Sequence, residues 1–379
     1  MNFEISNEEL TECDREMLHL IGNIQGNCGH CLFVDFPEWT IIAVDAKILD
    51  LKLIFTTEVG REDTSKGRHF IGNLLKDCIP HNLFDALNEN VQKLMLSKSS
   101  KSYLFYEYQG CAFAISVSAS ASDYSILAFE IEALNTEIET STMFQTYVSM
   151  SLLMEGYSGE SVVENACDRI FDLFGRYDRG MVYRFNDDDS GEVIHEIKRD
   201  DIETSYLGLR FPSSDIPKPA RQLYFINRVR YIHNNELDPI QIIAGDNITI
   251  DQSLCHMRAV AKPHVLYLKQ MGVISSMSMA IIVDEKLWGL LSFHAYTQPY
   301  KPSLQQRLAC ESIGAMVSVR IEAAMKKIES SRSLLLGQQI SHLDKKKCVN
   351  QNIRDLGNHI AEYYQSRYIC WIHRKFERR

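Results

Sequence analysis

The sequence predicts an α+β chain in which two domains of antiparallel sheet, flanked by helices, lead into a long helix. Three observations carry this. The chain has 379 residues, more than one hydrophobic core usually serves. Strand-length apolar runs come in pairs around turn signals, most clearly GMVYRF and GEVIHEIK on either side of NDDDS. From Ser303 onward, apolar residues recur at multiples of about four, as on one face of a helix.

In chain order, residues 1–20 are polar. Strands follow in CLFVDF and TIIAVDA, separated by Pro37-Glu38. Residues 68–97 read as helical, with Leu74, Leu75, Leu83, Leu87, Val91, Leu94 and Met95 at three- and four-residue spacings. SYLFYEYQ and CAFAISVSAS form a hairpin through Gly110, and SILAFEIEAL adds a strand. A helix is expected over 140–155. A second begins at the capping-box pattern Ser161-Val162-Val163-Glu164 and buries Val163, Ala166, Ile170, Leu173 and Phe174. A loop-rich stretch of Arg, Pro and Asp precedes the hairpin ISSMSMAIIV–KLWGLLSFHA. Pro302 and Ser303 then start a helix of about eight turns, with Leu304, Leu308, Val317, Ile321, Met325 and Ile328 as its stripe.

Composition narrows the function. A net charge of −10 argues against a nucleic-acid surface, which needs clustered Lys and Arg. The basic end from His373 to Arg379 reads as a solvated tail. No apolar run reaches the roughly 18 residues of a membrane span, and the acidic start lacks a signal peptide's order. Ten scattered cysteines then imply reduced thiols and a cytoplasmic setting.

Three features invite chemistry. Cys28-Gly29-His30-Cys31 has C-x-x-C spacing. A redox pair needs a helix N-terminus to lower its thiol pKa, however, and a strand follows Cys31. A zinc site would need a second pair, which is missing, so no metal is expected and the two are read as loop thiols. Asp215, between Pro212 and Pro217, sits in a stiff segment. It reads equally as a functional carboxylate or as the cap of a helix starting near Lys218. His264, alone on an apolar segment, would ordinarily be structural.

Together these segments resemble a known family. Phe211-Pro212-Ser213-Ser214-Asp215-Ile216-Pro217 is followed by Ala220-Arg221 and Leu223-Tyr224. Then come Arg258, His264, Tyr267-Leu268, Met271-Gly272-Val273 and Leu287-Trp288-Gly289-Leu290-Leu291-Ser292-Phe293-His294. This order resembles the chromophore-binding module of phytochromes. Cys13-Asp14-Arg15-Glu16 with His19, Gly22, Ile24 and Gln25 is similar to the N-terminal segment of the biliverdin-binding type.

The resemblance implies a PAS domain (31–135) and a GAF domain (145–325). Residues 1–30 would be an attachment segment knotted through the GAF domain, with Ile24 in the knot, and 326–379 a helical extension without a complete PHY domain. It implies a red/far-red photoreceptor, not an enzyme, that holds biliverdin through a thioether to Cys13 and signals by ring-D isomerisation. The plant-type attachment position is Pro263, and Cys255 matches neither attachment position. Asp215, with Ile216 and Pro217, would face the pyrrole nitrogens together with His264. Arg230 and Arg258 would pair with one propionate, and Ser276 and Ser278 with the other. Met181, Tyr183, Phe211, Tyr224 and His294 would surround ring D, with Tyr267 beside them. The family's Ser-Pro before the histidine segment is Ala261-Lys262 here, which removes one contact. Partners would be the bilin and a second copy along the helix from Ser303, with neither nucleic acid nor membrane. The alternatives are a PAS-GAF module that has lost its bilin, serving another small ligand or dimerisation alone, and thiol–disulfide exchange at Cys28 and Cys31.

Overall fold

The computed structural model describes residues 22–51, 67–119, 124–134 and 160–345, with side chains to 338. Cys13 and the helix expected over 140–155 lie outside them. The chain divides into two compact units, 1–318 and 319–379.

Among the described residues there are two antiparallel sheets. The first takes β1 (Asn23–Ile24), β2 (His30–Asp35), β3 (Thr40–Asp45), β4 (Lys101–Tyr108), β5 (Cys111–Ala119) and β6 (Ile126–Ala133). The second takes β7 (Arg179–Phe185), β8 (Gly191–Lys198), β9 (Arg210–Phe211), β10 (Val229–Ile232), β12 (Ser275–Val283) and β13 (Lys286–Ala295). Strand β11 (Ile240–Ala244) comes from the later part of the chain yet joins the first sheet, giving the order β1-β11-β3-β2-β6-β5-β4. The order of the second sheet is β10-β12-β13-β7-β8-β9.

The helical reading of 68–97 is corrected. That stretch holds a 3-10 turn at Arg68–Phe70, α1 (Leu75–Cys78) and α2 (His81–Leu96). Pro80 separates the two α-helices because it has no N–H to continue the first. Leu83, Leu87, Val91 and Leu94 of α2 face the core of the first sheet, where Val34, Ile41, Val117 and Phe129 are buried. Helix α3 (Glu160–Phe174) starts before Ser161, so the serine lies in the first turn and is not the cap. Val163, Ala166 and Ile170 are buried as expected.

Beyond α4 (Lys218–Ile226) and α5 (Lys262–Gln270), the last helix is α6 (Leu304–Lys345), 42 residues long and so longer than eight turns. Its start is a true capping box. The Ser303 hydroxyl accepts from the Gln306 N–H (3.3 Å) and Gln306 Oε1 accepts from the Ser303 N–H (2.8 Å). Among the described residues no helix is long and apolar enough to cross a membrane.

The short β1 is bracketed on both edges. Asn23 and Ile24 pair with Gln241 and Ile240. On the other side the Gln25 N–H donates to the Met257 carbonyl (2.8 Å) and the Ala259 N–H to that of Asn23 (2.9 Å). Ile24 is fully buried, and Gln25 bonds Tyr231 and His233 on and beside β10. At Gly26 a Cβ would stand 2.6 Å from the Asp238 carbonyl oxygen, so only glycine lets that loop approach.

Of the two thiols expected in a loop, Cys28 lies in one and Cys31 lies in β2, and both are fully buried. Burial pushes Cys28 up to about 11 and Cys31 well above its ordinary value. A thiol-exchange site needs the opposite shift and access to solvent.

Candidate functional site

Residues of the second sheet line a cavity of about 240 Å³. Side chains alternate along a strand, so one face shows every second residue. Register then sets the rows. Arg230, Ser278, Ser292 and Met181 stand opposite one another across β10, β12, β13 and β7. Ile232, Ser276 and His294 form the next row, and Leu290, Tyr183 and Val193 another. Gly191, on β8, leaves the space that the Tyr183 ring occupies: a Cβ there would lie 1.9 Å from the ring.

The 211–217 loop and helices α4 and α5 supply the rest of the wall. The loop is held by Arg221, which donates to the carbonyls of Ser213 (3.1 Å) and Ile216 (2.5 Å) and pairs with Asp189 (3.0 Å). Asp215 does not cap α4, whose N-cap is Pro217 with no side-chain cap bond. Its carboxylate accepts from the Tyr267 hydroxyl (3.1 Å), and burial raises its pKa. Tyr224 and Ser278 share a hydroxyl hydrogen bond of 2.6 Å. His264 stacks beside Tyr267 with ring centroids 6.1 Å apart.

Every described residue expected from the sequence lines this one cavity: Met181, Tyr183, Phe211, Asp215, Ile216, Pro217, Tyr224, Arg230, Arg258, His264, Tyr267, Ser276, Ser278 and His294. Cys255 is buried and does not line it. The sequence reading passed over Tyr206, Asn227 and Ser292, which also line it. Tyr206 packs against Phe211 and lies under the buried Arg179, whose guanidinium is 4.0 Å from the ring centroid. Ser292 could have been found, because it alternates with Leu290 and His294 along one strand.

The electrostatics suit an anion. Arg230 donates to the carbonyls of His256, Arg258 and Ala259 (3.2, 2.6 and 3.0 Å). Burial, followed by the neighbouring Arg230, pulls Arg258 down to about 9. Two desolvated guanidiniums side by side are stabilised by a carboxylate that accepts from both. Burial and Arg230 pull His264 down to about 4, and burial, Arg179 and His264 pull His294 down to about 3. Both imidazoles are therefore neutral at pH 7, and His294 keeps a buried Nδ1 without a hydrogen-bond partner in the protein.

These shifts fix a pH dependence. Unfolded histidines protonate near pH 6.5. The folded ones resist until about 4 and 3, so the unfolded chain binds more protons in between. Their stabilising contribution is complete above pH 6.5 and is lost as pH falls toward those values. The urea midpoint should drop from pH 7 to pH 5, and drop less in a His264→Gln/His294→Gln variant. An equal drop in both proteins would contradict the assignment.

The GAF-domain family model matches residues 158–321, which contain the second sheet and the cavity. The chain thus carries a GAF domain, with six of the seven strands of the other antiparallel sheet preceding it in sequence. A cyanobacterial phytochrome B of Nostoc sp. is 30% identical over 83% of this chain and 41% of its own length. A bacteriophytochrome of Pseudomonas aeruginosa is 35% identical over 58% of this chain and 31% of its own. The crystal structure of the chromophore-binding domain of Stigmatella aurantiaca bacteriophytochrome in the Pr state matches with a TM-score of 0.69. It is 27% identical, and the match covers 81% of this chain and 98% of that one. The chain is a bacteriophytochrome-like PAS-GAF chromophore-binding module, at moderate identity over most of its length. It spans less than half the length of these two phytochrome relatives.

Proposed function

We propose that this module binds biliverdin in the cavity of the second sheet, through a thioether to Cys13, and serves as a red/far-red light sensor. The observation that carries the reading is the pair of half-buried Arg230 and buried Arg258 on the wall of a cavity also lined by aromatic rings and apolar side chains. A linear tetrapyrrole offers carboxylates to such a pair and flat rings to such walls. When bound, the tetrapyrrole supplies red-light absorption and a double bond beside ring D that isomerises.

The chain's own residues then have distinct tasks. Arg230 and Arg258 hold one propionate, and Ser276 and Ser278 offer hydroxyls to the other. Asp215 and the neutral His264 present acceptors to the pyrrole N–H groups and favour a protonated ring system. Met181, Tyr183, Phe211, Tyr224 and His294 exclude water around ring D.

The bracketing of β1 supports threading of residues 1–30 through the loop between β10 and α5, which would bring Cys13 toward the cavity. We retain the division into a PAS domain (31–135), a GAF domain (145–325) and a helical extension (326–379). The buried thiols fit a reducing, cytoplasmic setting and a sensor, not an enzyme. A second copy along α6 is the proposed partner, since Met325, Ile328, Leu334 and Leu335 are exposed on it. Sedimentation at tens of micromolar should show a dimer, and a monomer alone would refute that assignment.

Attachment is tested by incubating the protein and Cys13→Ala with biliverdin, then running a denaturing gel stained for zinc–bilin fluorescence. The wild-type band should fluoresce and the variant band should not. Fluorescence retained in Cys13→Ala would move the attachment to another thiol.

A further inference from the structure

We propose that Lys101, on the edge strand of the first sheet, is a positioning residue that ties the cavity wall to the axial register of α6. The proposal rests on the bilin reading only for what the coupling transmits. The contact itself stands on geometry.

Lys101 Nζ has three donors and three neighbours, each from a different element. Asn227 Oδ1 accepts at 3.1 Å, His256 Nε2 lies at 3.3 Å and Glu311 Oε1 at 3.7 Å. Asn227 follows α4 and lines the cavity. His256 gives its carbonyl to the cavity arginine Arg230 (3.2 Å) and its N–H to Glu130 on β6 (3.0 Å). Glu311 is on α6. The side chain is only 13% exposed, so moving any one of these neighbours leaves the ammonium less well compensated.

One turn earlier on the same helix face, Arg307 pairs with Glu132 of β6, which also takes Lys301 (2.7 Å). The polarities are crossed: a helix cation meets a sheet anion, and a helix anion meets a sheet cation. Sliding α6 by one turn, about 5.4 Å, would set Arg307 against Lys101. Like charges would then face each other in a desolvated place, so the two pairs fix one register. Uniform hydrophobic packing would not discriminate in this way. If Lys101 merely added stability, its three neighbours would not need to respond to one another.

The test uses the full chain, isotopically labelled, with Lys101→Met, Lys101→Arg and Glu311→Gln. Glu311 is a quarter exposed, so its variant keeps the experiment open should Lys101→Met fail to fold. Without ligand, Glu311→Gln should shift the Asn227 side-chain amide and His256 backbone signals, although neither touches residue 311. Unmoved signals would overturn the coupling, whether or not a bilin binds.

With biliverdin added, amide exchange over 304–318 should slow by about 2- to 30-fold in the wild type. Lys101→Met should lose that response while its biliverdin Kd stays within about threefold, and Lys101→Arg should restore part of it. An unchanged response in Lys101→Met, or none in the wild type despite binding, would also overturn the proposal. Failure to bind biliverdin at all would refute the bilin reading and leave the ligand-free arm to decide the coupling.

Discussion

Arg258→Ala is expected to weaken biliverdin binding by about 2 kcal/mol or more, roughly 30-fold in Kd. Arg258 is buried next to Arg230, and both burial and that neighbour disfavour its charge. A bound carboxylate offsets part of that cost. Arg258→Lys should recover only part of the affinity, because an ammonium lacks the planar fork. Titration followed by absorbance reads the change. A Kd within threefold of wild type would show that the arginine pair does not hold a carboxylate.

The largest stability effect should come from Glu132→Ala. Glu132 takes both Arg307, which is fully buried, and Lys301. The two cations hold its carboxylate below the usual range against a burial penalty of opposite sign. Removing it leaves a desolvated guanidinium without its partner, which costs about 3–5 kcal/mol. At roughly 2–4 °C per kcal/mol for a domain of this size, Tm should fall by roughly 10 °C. Pairing the change with Arg307→Met should return much of the loss, since the uncompensated charge is then gone as well. A fall of less than about 2 °C in Glu132→Ala would mean that water or another anion reaches Arg307.

The hairpins were legible because their apolar residues alternate and their turns carry Gly, Asp or Asn. β7–β8 and β12–β13 fall within a residue of where the alternation puts them. β10 and β11 were not legible. They are four and five residues long, set in a polar stretch, and β11 joins a sheet whose other strands all end at or before Ala133, far from it in sequence. Nothing local specifies such a crossing. The helical reading of 68–97 failed because spacing alone does not register that Pro80 cannot donate.

The candidate site was legible through motif order more than through physics. His264 and Asp215 taken singly read as structural residues or caps. Tyr206 was missed because it sits in a loop with no periodicity. Asn227, at the end of α4, gave no signal at all. Lys101 stands one residue before the strand that the sequence predicts from Ser102 and carries no signal of its own, and its burial depends on three elements that meet only in the folded chain.

The most direct measurement is a light-minus-dark absorbance spectrum of the full chain reconstituted with biliverdin. The expected result is a red-absorbing band that red light depletes and that darkness or far-red light restores. A protein that stays colourless, or a red band that illumination leaves unchanged, would contradict a light-sensing role for this cavity.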